Sequence, residues 1–133
     1  MISTTRREAL MGALAVPAAA GLPGVALARS NSALLLHDPT LVAGRRLAQA
    51  HGGEALAIEG DRIRFARAVF ERQPALVVGV SRPADALLIE EVGREAGYLP
   101  VSEGTEALRD MIAAAQPRDR GLVLGWVLAR RAA

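Results

Sequence analysis

Three short apolar runs of the chain end in residues able to do acid–base or anion chemistry. Ala33-Leu34-Leu35-Leu36 runs into His37-Asp38, Ala55-Leu56-Ala57-Ile58 into Glu59-Gly60-Asp61, and Leu76-Val77-Val78-Gly79-Val80 into Ser81-Arg82. Histidine supplies an imidazole that titrates near neutrality, and carboxylates can orient it or move protons themselves. Arg82 is a permanent cation whose planar guanidinium grips a carboxylate or phosphate through two parallel hydrogen bonds. His37, Asp38, Glu59, Asp61, Ser81 and Arg82 make one site only if the three runs end at one edge of the molecule.

The stretches between the runs supply a reason to expect that. Asp38 followed by Pro39 reads as a helix N-cap with proline in the first turn, and a helix through Leu41, Leu47 and Ala48 stops at His51-Gly52-Gly53. Arg62 to Arg72 places Ile63, Ala66, Val69 and Phe70 on one helical face. Ala84 to Ala96 forms a third helix, closed by Gly97, with Leu87, Leu88 and Val92 as its core stripe. Tyr98 to Val101 is a fourth strand ending at Ser102-Glu103-Gly104, Thr105 to Ala115 a fourth helix with Leu108, Met111 and Ile112 inward, and Gly121 to Ala129 a last strand.

Five strands that are continuously apolar, alternating with four helices, predict a parallel sheet covered on both faces. The expected fold is a small three-layer α/β domain of flavodoxin-like type, with a mostly parallel five-stranded sheet. Such sheets bind ligands beyond the carboxyl ends of the strands, where strand order reverses. In a flavodoxin-like order the first and third strands are neighbours there, which joins His37 and Asp38 to Ser81 and Arg82. The second strand adds Glu59 and Asp61. Helix N-termini after Asp38 and Ser81 contribute backbone N–H donors.

A plainer account competes with this one. Asp38, Asp61, Ser81 and Thr105 are the residue types expected at helix N-caps, whether or not anything binds. Arg82 reads equally as a solvated loop arginine. Neither capping nor core packing calls for histidine at His37, whose plain reading is an inert surface histidine. Glu90 and Glu91 point about 100° apart on their helix and form no catalytic pair; with Arg94 nearby they read as surface patterning.

Several chemistries are excluded. With no cysteine, thiolate nucleophiles, disulfides and iron–sulfur clusters are impossible. All sixteen basic residues are arginine, so there is neither a Schiff-base lysine for pyridoxal phosphate nor a Walker A lysine. The first strand end lacks both the hydroxyl-rich phosphate cradle of flavodoxins and a GxGxxG turn. A response-regulator receiver would need an aspartate where Ser81 stands. Gly79-Val80-Ser81-Arg82-Pro83 approaches the GxSxG nucleophile elbow but has proline in place of the second glycine, which blocks the close strand–helix approach that turn requires. His37 and His51 are the only histidines, so no protein-built metal site is expected, and no cofactor is implied.

Beyond residue 28 fourteen arginines face thirteen acidic residues. The basic pI therefore reflects arginine's refusal to titrate rather than a basic surface. No basic stripe interleaved with aromatics is present, and nucleic-acid binding is not expected. Only four residues are aromatic, so alanine, leucine and valine must build the core.

The first 28 residues carry an address. Arg6-Arg7 precede an uncharged stretch from Ala9 to Leu27, broken by Pro17, Gly21 and Pro23 and ending in Ala26-Leu27-Ala28. Small residues at Ala26 and Ala28 suit a signal peptidase cutting between Ala28 and Arg29. The stretch is too rich in alanine, glycine and proline for a stable membrane span, which needs about 20 strongly apolar residues. Thr5-Arg6-Arg7-Glu8-Ala9-Leu10-Met11 resembles the twin-arginine (Tat) signals of bacteria, with Leu10 at the usual leucine and Ala9 departing from the more common Phe or Leu. The resemblance implies handling by the Tat export machinery and signal peptidase, and delivery of a folded domain, residues 29–133, to the bacterial periplasm.

Two functional readings follow. One is an exported binding or accessory module for a small anionic ligand or a partner protein. The other is a small hydrolase or isomerase with His37 as general base and Asp38 or Glu59 orienting it. The apolar last strand, if it lies at the sheet edge, would also offer a surface for a homodimer or a partner protein.

Overall fold

A computed structural model describes residues 33–102, 105–115 and 122–131. The stretch expected to be an export signal, residues 1–28 with Arg6, Arg7 and the Ala28–Arg29 junction, lies outside them, as does the Met111 side chain. Among the described residues five strands alternate with four helices: β1 (Ala33–His37), α1 (Val42–Ala50), β2 (Ala55–Ala57), α2 (Arg62–Glu71), β3 (Leu76–Ser81), α3 (Pro83–Glu95), β4 (Tyr98–Pro100), α4 (Thr105–Ala115) and β5 (Leu124–Arg130).

The strands form one mixed sheet in the order β2-β1-β3-β5-β4. β1 pairs in parallel with β2 and β3, whereas β5 runs antiparallel to both β3 and β4. The β2-β1-β3 half thus has the expected neighbours, but the last strand is inverted and inserted between β3 and β4. Its continuous apolar run signals burial on both faces and carries no information about direction. β5 is not an edge strand: β3 pairs with Leu124 to Ala129, and β4 with Leu128 to Arg130. Edge-to-edge association through the last strand therefore lacks the exposed full-length edge it would need.

Strand alternation sends side chains to two separate cores. Leu34, Leu36, Val77, Trp126 and Leu128 pack with Ala66, Val69 and Phe70 of α2 and Ile89 and Val92 of α3. Ala33, Leu35, Val78, Val80 and Val127 pack with Ala43 and Leu47 of α1 and Leu108 and Ile112 of α4. Phe70 and Tyr98 join α2 to the β4 side, their ring centroids 4.7 Å apart. The buried face of α3 is Ala86, Ile89, Val92 and Gly93. Leu87 and Leu88, expected in its core stripe, are 63% and 40% exposed. The small Ala86 and Gly93 let α3 approach the sheet and α2, so the helix rotates its leucines outward.

Two of the expected caps are also displaced. α1 begins at Val42, after an N-cap at Leu41 that makes no side-chain bond. Asp38, Pro39 and Thr40 form a turn instead. Arg82, not Ser81, is the N-cap of α3. Asp61 does cap α2, accepting the Arg64 amide at 2.9 Å.

Candidate functional site: the rim at the ends of β1 and β3

The parallel pairing of β1 with β3 puts His37 opposite Val80, so Asp38 and Ser81 follow at the same rim. The Asp38 amide donates to the Val80 carbonyl at 3.0 Å and ties the turn to β3. Beneath the turn lies Gly44 of α1, where a Cβ would come within 2.8 Å of the Asp38 carbonyl oxygen. The helix can sit this close to the turn only because no side chain intervenes.

Asp38 is the centre of the rim. Its side chain is only 4% exposed, and both carboxylate oxygens are engaged. Oδ1 accepts from the Thr40 amide at 2.8 Å and the Thr40 hydroxyl at 2.6 Å. Oδ2 faces Arg82 Nε at 3.4 Å. Burial pushes this carboxyl up, but the Thr40 hydroxyl and amide, followed by the charges of Arg82 and Arg62, outweigh it and hold the group below its ordinary value. Arg82 makes a second contact, Nη2 to Thr40 Oγ1 at 3.3 Å, and its side chain remains 45% exposed. The guanidinium is oriented yet accessible.

His37 takes a different direction. By strand alternation its side chain shares a face with Ala33 and Leu35, over α1, whereas Ser81 shares a face with Val77 and Gly79. Its Cβ lies 3.5 Å from where a Gly44 side chain would begin. Nδ1 is buried and has no hydrogen-bond partner among the described residues. Burial holds the imidazole below its usual value, against the opposing pull of Asp38 and Glu59. No carboxylate hydrogen-bonds to the ring among the described residues.

Ser81 is fully buried and its hydroxyl is already committed. Oγ donates to the Arg82 carbonyl at 3.0 Å and accepts from Trp126 Nε1 at 3.0 Å. Asp61 is an exposed cap, and Glu59 is exposed and acts on His37 only through its charge. The structure therefore brings together Asp38 and Arg82, adds Thr40, and leaves His37, Ser81, Glu59 and Asp61 outside that cluster. Thr40 carried a signal in the sequence: a hydroxyl two residues after an aspartate is the pattern of an Asx turn. Arg62, which acts on Asp38 through its charge, is itself paired with Asp85 at 3.0 Å.

None of these residues lines the cavity of about 350 Å³ found farther along the same rim, beside β5. Among the described residues no group of acidic and histidine side chains could hold a metal ion, and no helix is long and apolar enough to cross a membrane. No protein family, curated protein or solved structure matches the chain.

Proposed function

We propose that the chain is an exported periplasmic protein whose α/β domain, a variant of the flavodoxin-like layout with an inverted last strand, binds a small anion at the ends of β1 and β3. The observation that carries this reading is the state of Arg82. Asp38 and Thr40 fix one side of its guanidinium, while nearly half of the side chain stays open to solvent. Orienting a cation before its ligand arrives lowers the ordering cost of binding. Support for export is the Arg6-Arg7 pair followed by the weakly apolar stretch ending at Ala28.

The enzyme reading keeps one favourable observation, a buried Nδ1 on His37 that has no hydrogen-bond partner among the described residues, in a ring whose pKa burial lowers. It lacks a carboxylate hydrogen-bonded to that ring, and His37 lies on the opposite face from Ser81, so binding takes precedence.

Calorimetric titration of phosphate, sulfate and succinate into the wild-type protein and Arg82→Gln tests the binding reading. One of the anions should bind the wild type, and the variant should bind it at least about tenfold more weakly, a loss of about 1.4 kcal/mol. Equal binding, or none, overturns it. Replacing Arg6 and Arg7 together by lysine should leave the precursor uncleaved in the cytoplasm; unchanged processing would remove the export pathway from the proposal.

A further inference from the structure

The cavity beside β5 lies where the pairing of β4 stops. β3 pairs with β5 from Leu124 onward, but β4 joins only at Leu128, with one further bond from the Val101 amide to the Val127 carbonyl at 2.9 Å. Among the described residues the edge of β5 over Leu124 to Trp126 consequently has no strand partner on the β4 side. The cavity of about 350 Å³ occupies that gap, lined from one side of the sheet by Glu90 of α3 and from the other by Thr105, Glu106 and Arg109 of α4, with Ser102 and Trp126 between. Its volume is at the lower end of the range for small-molecule sites, about 300–1,000 Å³, which suits a ligand of amino-acid size.

Within the described residues its charges have no partner in the fold. Ion pairs elsewhere join Arg62 to Asp85, Arg72 to Glu54, Arg82 to Asp38 and Arg94 to Glu91. Glu90, Glu106 and Arg109 line one cavity with both signs of charge, and none is paired within the described residues. A purely anionic ligand would face two carboxylates, and a purely cationic one would face the guanidinium. A ligand carrying both charges satisfies all three. Leu124 and Val127 add an apolar wall, and the open edge of β5 offers backbone donors and acceptors.

We infer that this cavity binds a small zwitterion, an α-amino acid with an aliphatic side chain, its ammonium toward Glu90 and Glu106 and its carboxylate toward Arg109. The site is separate from Arg82 and does not depend on the anion reading.

Trp126 lines the cavity, but its indole is turned onto Gly79 and Ser81, so binding is read by calorimetry. Leucine titrated into the full-length protein up to ~10 mM should give a saturable heat change, as expected for affinities in the millimolar range or tighter. Leucine amide, lacking the carboxylate, and N-acetyl-leucine, lacking the ammonium, should each bind at least about tenfold more weakly. Arg109→Gln and Glu90→Gln should reproduce those two losses without lowering the unfolding midpoint, whereas Arg82→Gln should leave leucine binding unchanged. No saturable change with leucine, equal binding of either blocked analogue, or sensitivity to Arg82→Gln with indifference to Arg109→Gln would each overturn the assignment.

Discussion

The indole of Trp126 lies across Gly79, its cross-strand partner, and its Nε1–H donates to Ser81 Oγ at 3.0 Å. A Cβ on Gly79 would stand 2.0 Å from the indole ring. Gly79→Ala therefore cannot be accommodated without moving the ring or the strand, and it should cost about 1–3 kcal/mol as an overpacked core position. Ser81→Ala should cost a similar amount, about 1–3 kcal/mol, by leaving a buried indole N–H without its acceptor. Urea unfolding measures both; a change within about 0.5 kcal/mol for either would mean that the indole is free to reorient.

The place of β5 inside the sheet makes two leucines of the last apolar run unequal. Leu128 is fully buried between β3 and β4, and Leu122 is 48% exposed. Leu128→Ala should destabilise by about 2–5 kcal/mol, while Leu122→Ala should stay within about 0.5 kcal/mol. Similar effects of the two substitutions in equilibrium unfolding would argue against an interior β5.

Gly44 sets the distance between α1 and the Asp38 turn. Alanine favours a helix over glycine by about 1 kcal/mol, but its Cβ would press on the Asp38 carbonyl oxygen, a backbone atom at 2.8 Å. The overpacking, about 1–3 kcal/mol, should win. Gly44→Ala is thus expected to lower the unfolding midpoint, and a raised midpoint would show that α1 can shift outward freely.

Burial lowers the His37 pKa from its usual 6.5, so the unfolded chain binds the proton more readily than the folded one. The stability this confers is present in full above pH 6.5 and is lost as pH falls through the lower folded value. His37→Gln should therefore flatten the fall in unfolding free energy between neutral and mildly acidic pH. An identical pH profile for the variant and the wild type would place the imidazole in solvent.

Asp38 follows the same sign at lower pH. Its carboxyl lies below the ordinary 3.8 in the folded protein, so its contribution is present above that value and lost as pH drops through the folded one. Asp38→Ala removes the acceptor of the Thr40 amide and the partner of Arg82, and should cost about 1–3 kcal/mol at neutral pH. The unfolding curves of variant and wild type should then converge in acid; a constant gap down to the lowest pH would mean that the carboxylate's charge plays no part.

The positions of the elements and their alternation were legible in the residues alone. Apolar runs such as Leu76 to Val80 and the stripe Ala66, Val69, Phe70 report burial through the periods of strand and helix, which are local properties of the chain. They also determined that the ends of β1 and β3 share a rim, because sequential parallel strands joined by helices have few possible placements. Tertiary packing had to supply the direction of β5, since a strand buried on both faces is equally apolar read either way. It alone decided that His37 and Ser81 face opposite sides of the sheet, that Leu87 and Leu88 turn outward while Ala86 and Gly93 pack, and that Glu90 and Arg109 line one cavity. Those outcomes depend on the packing of residues far apart in sequence, and no local pattern records which small side chains will let two elements approach.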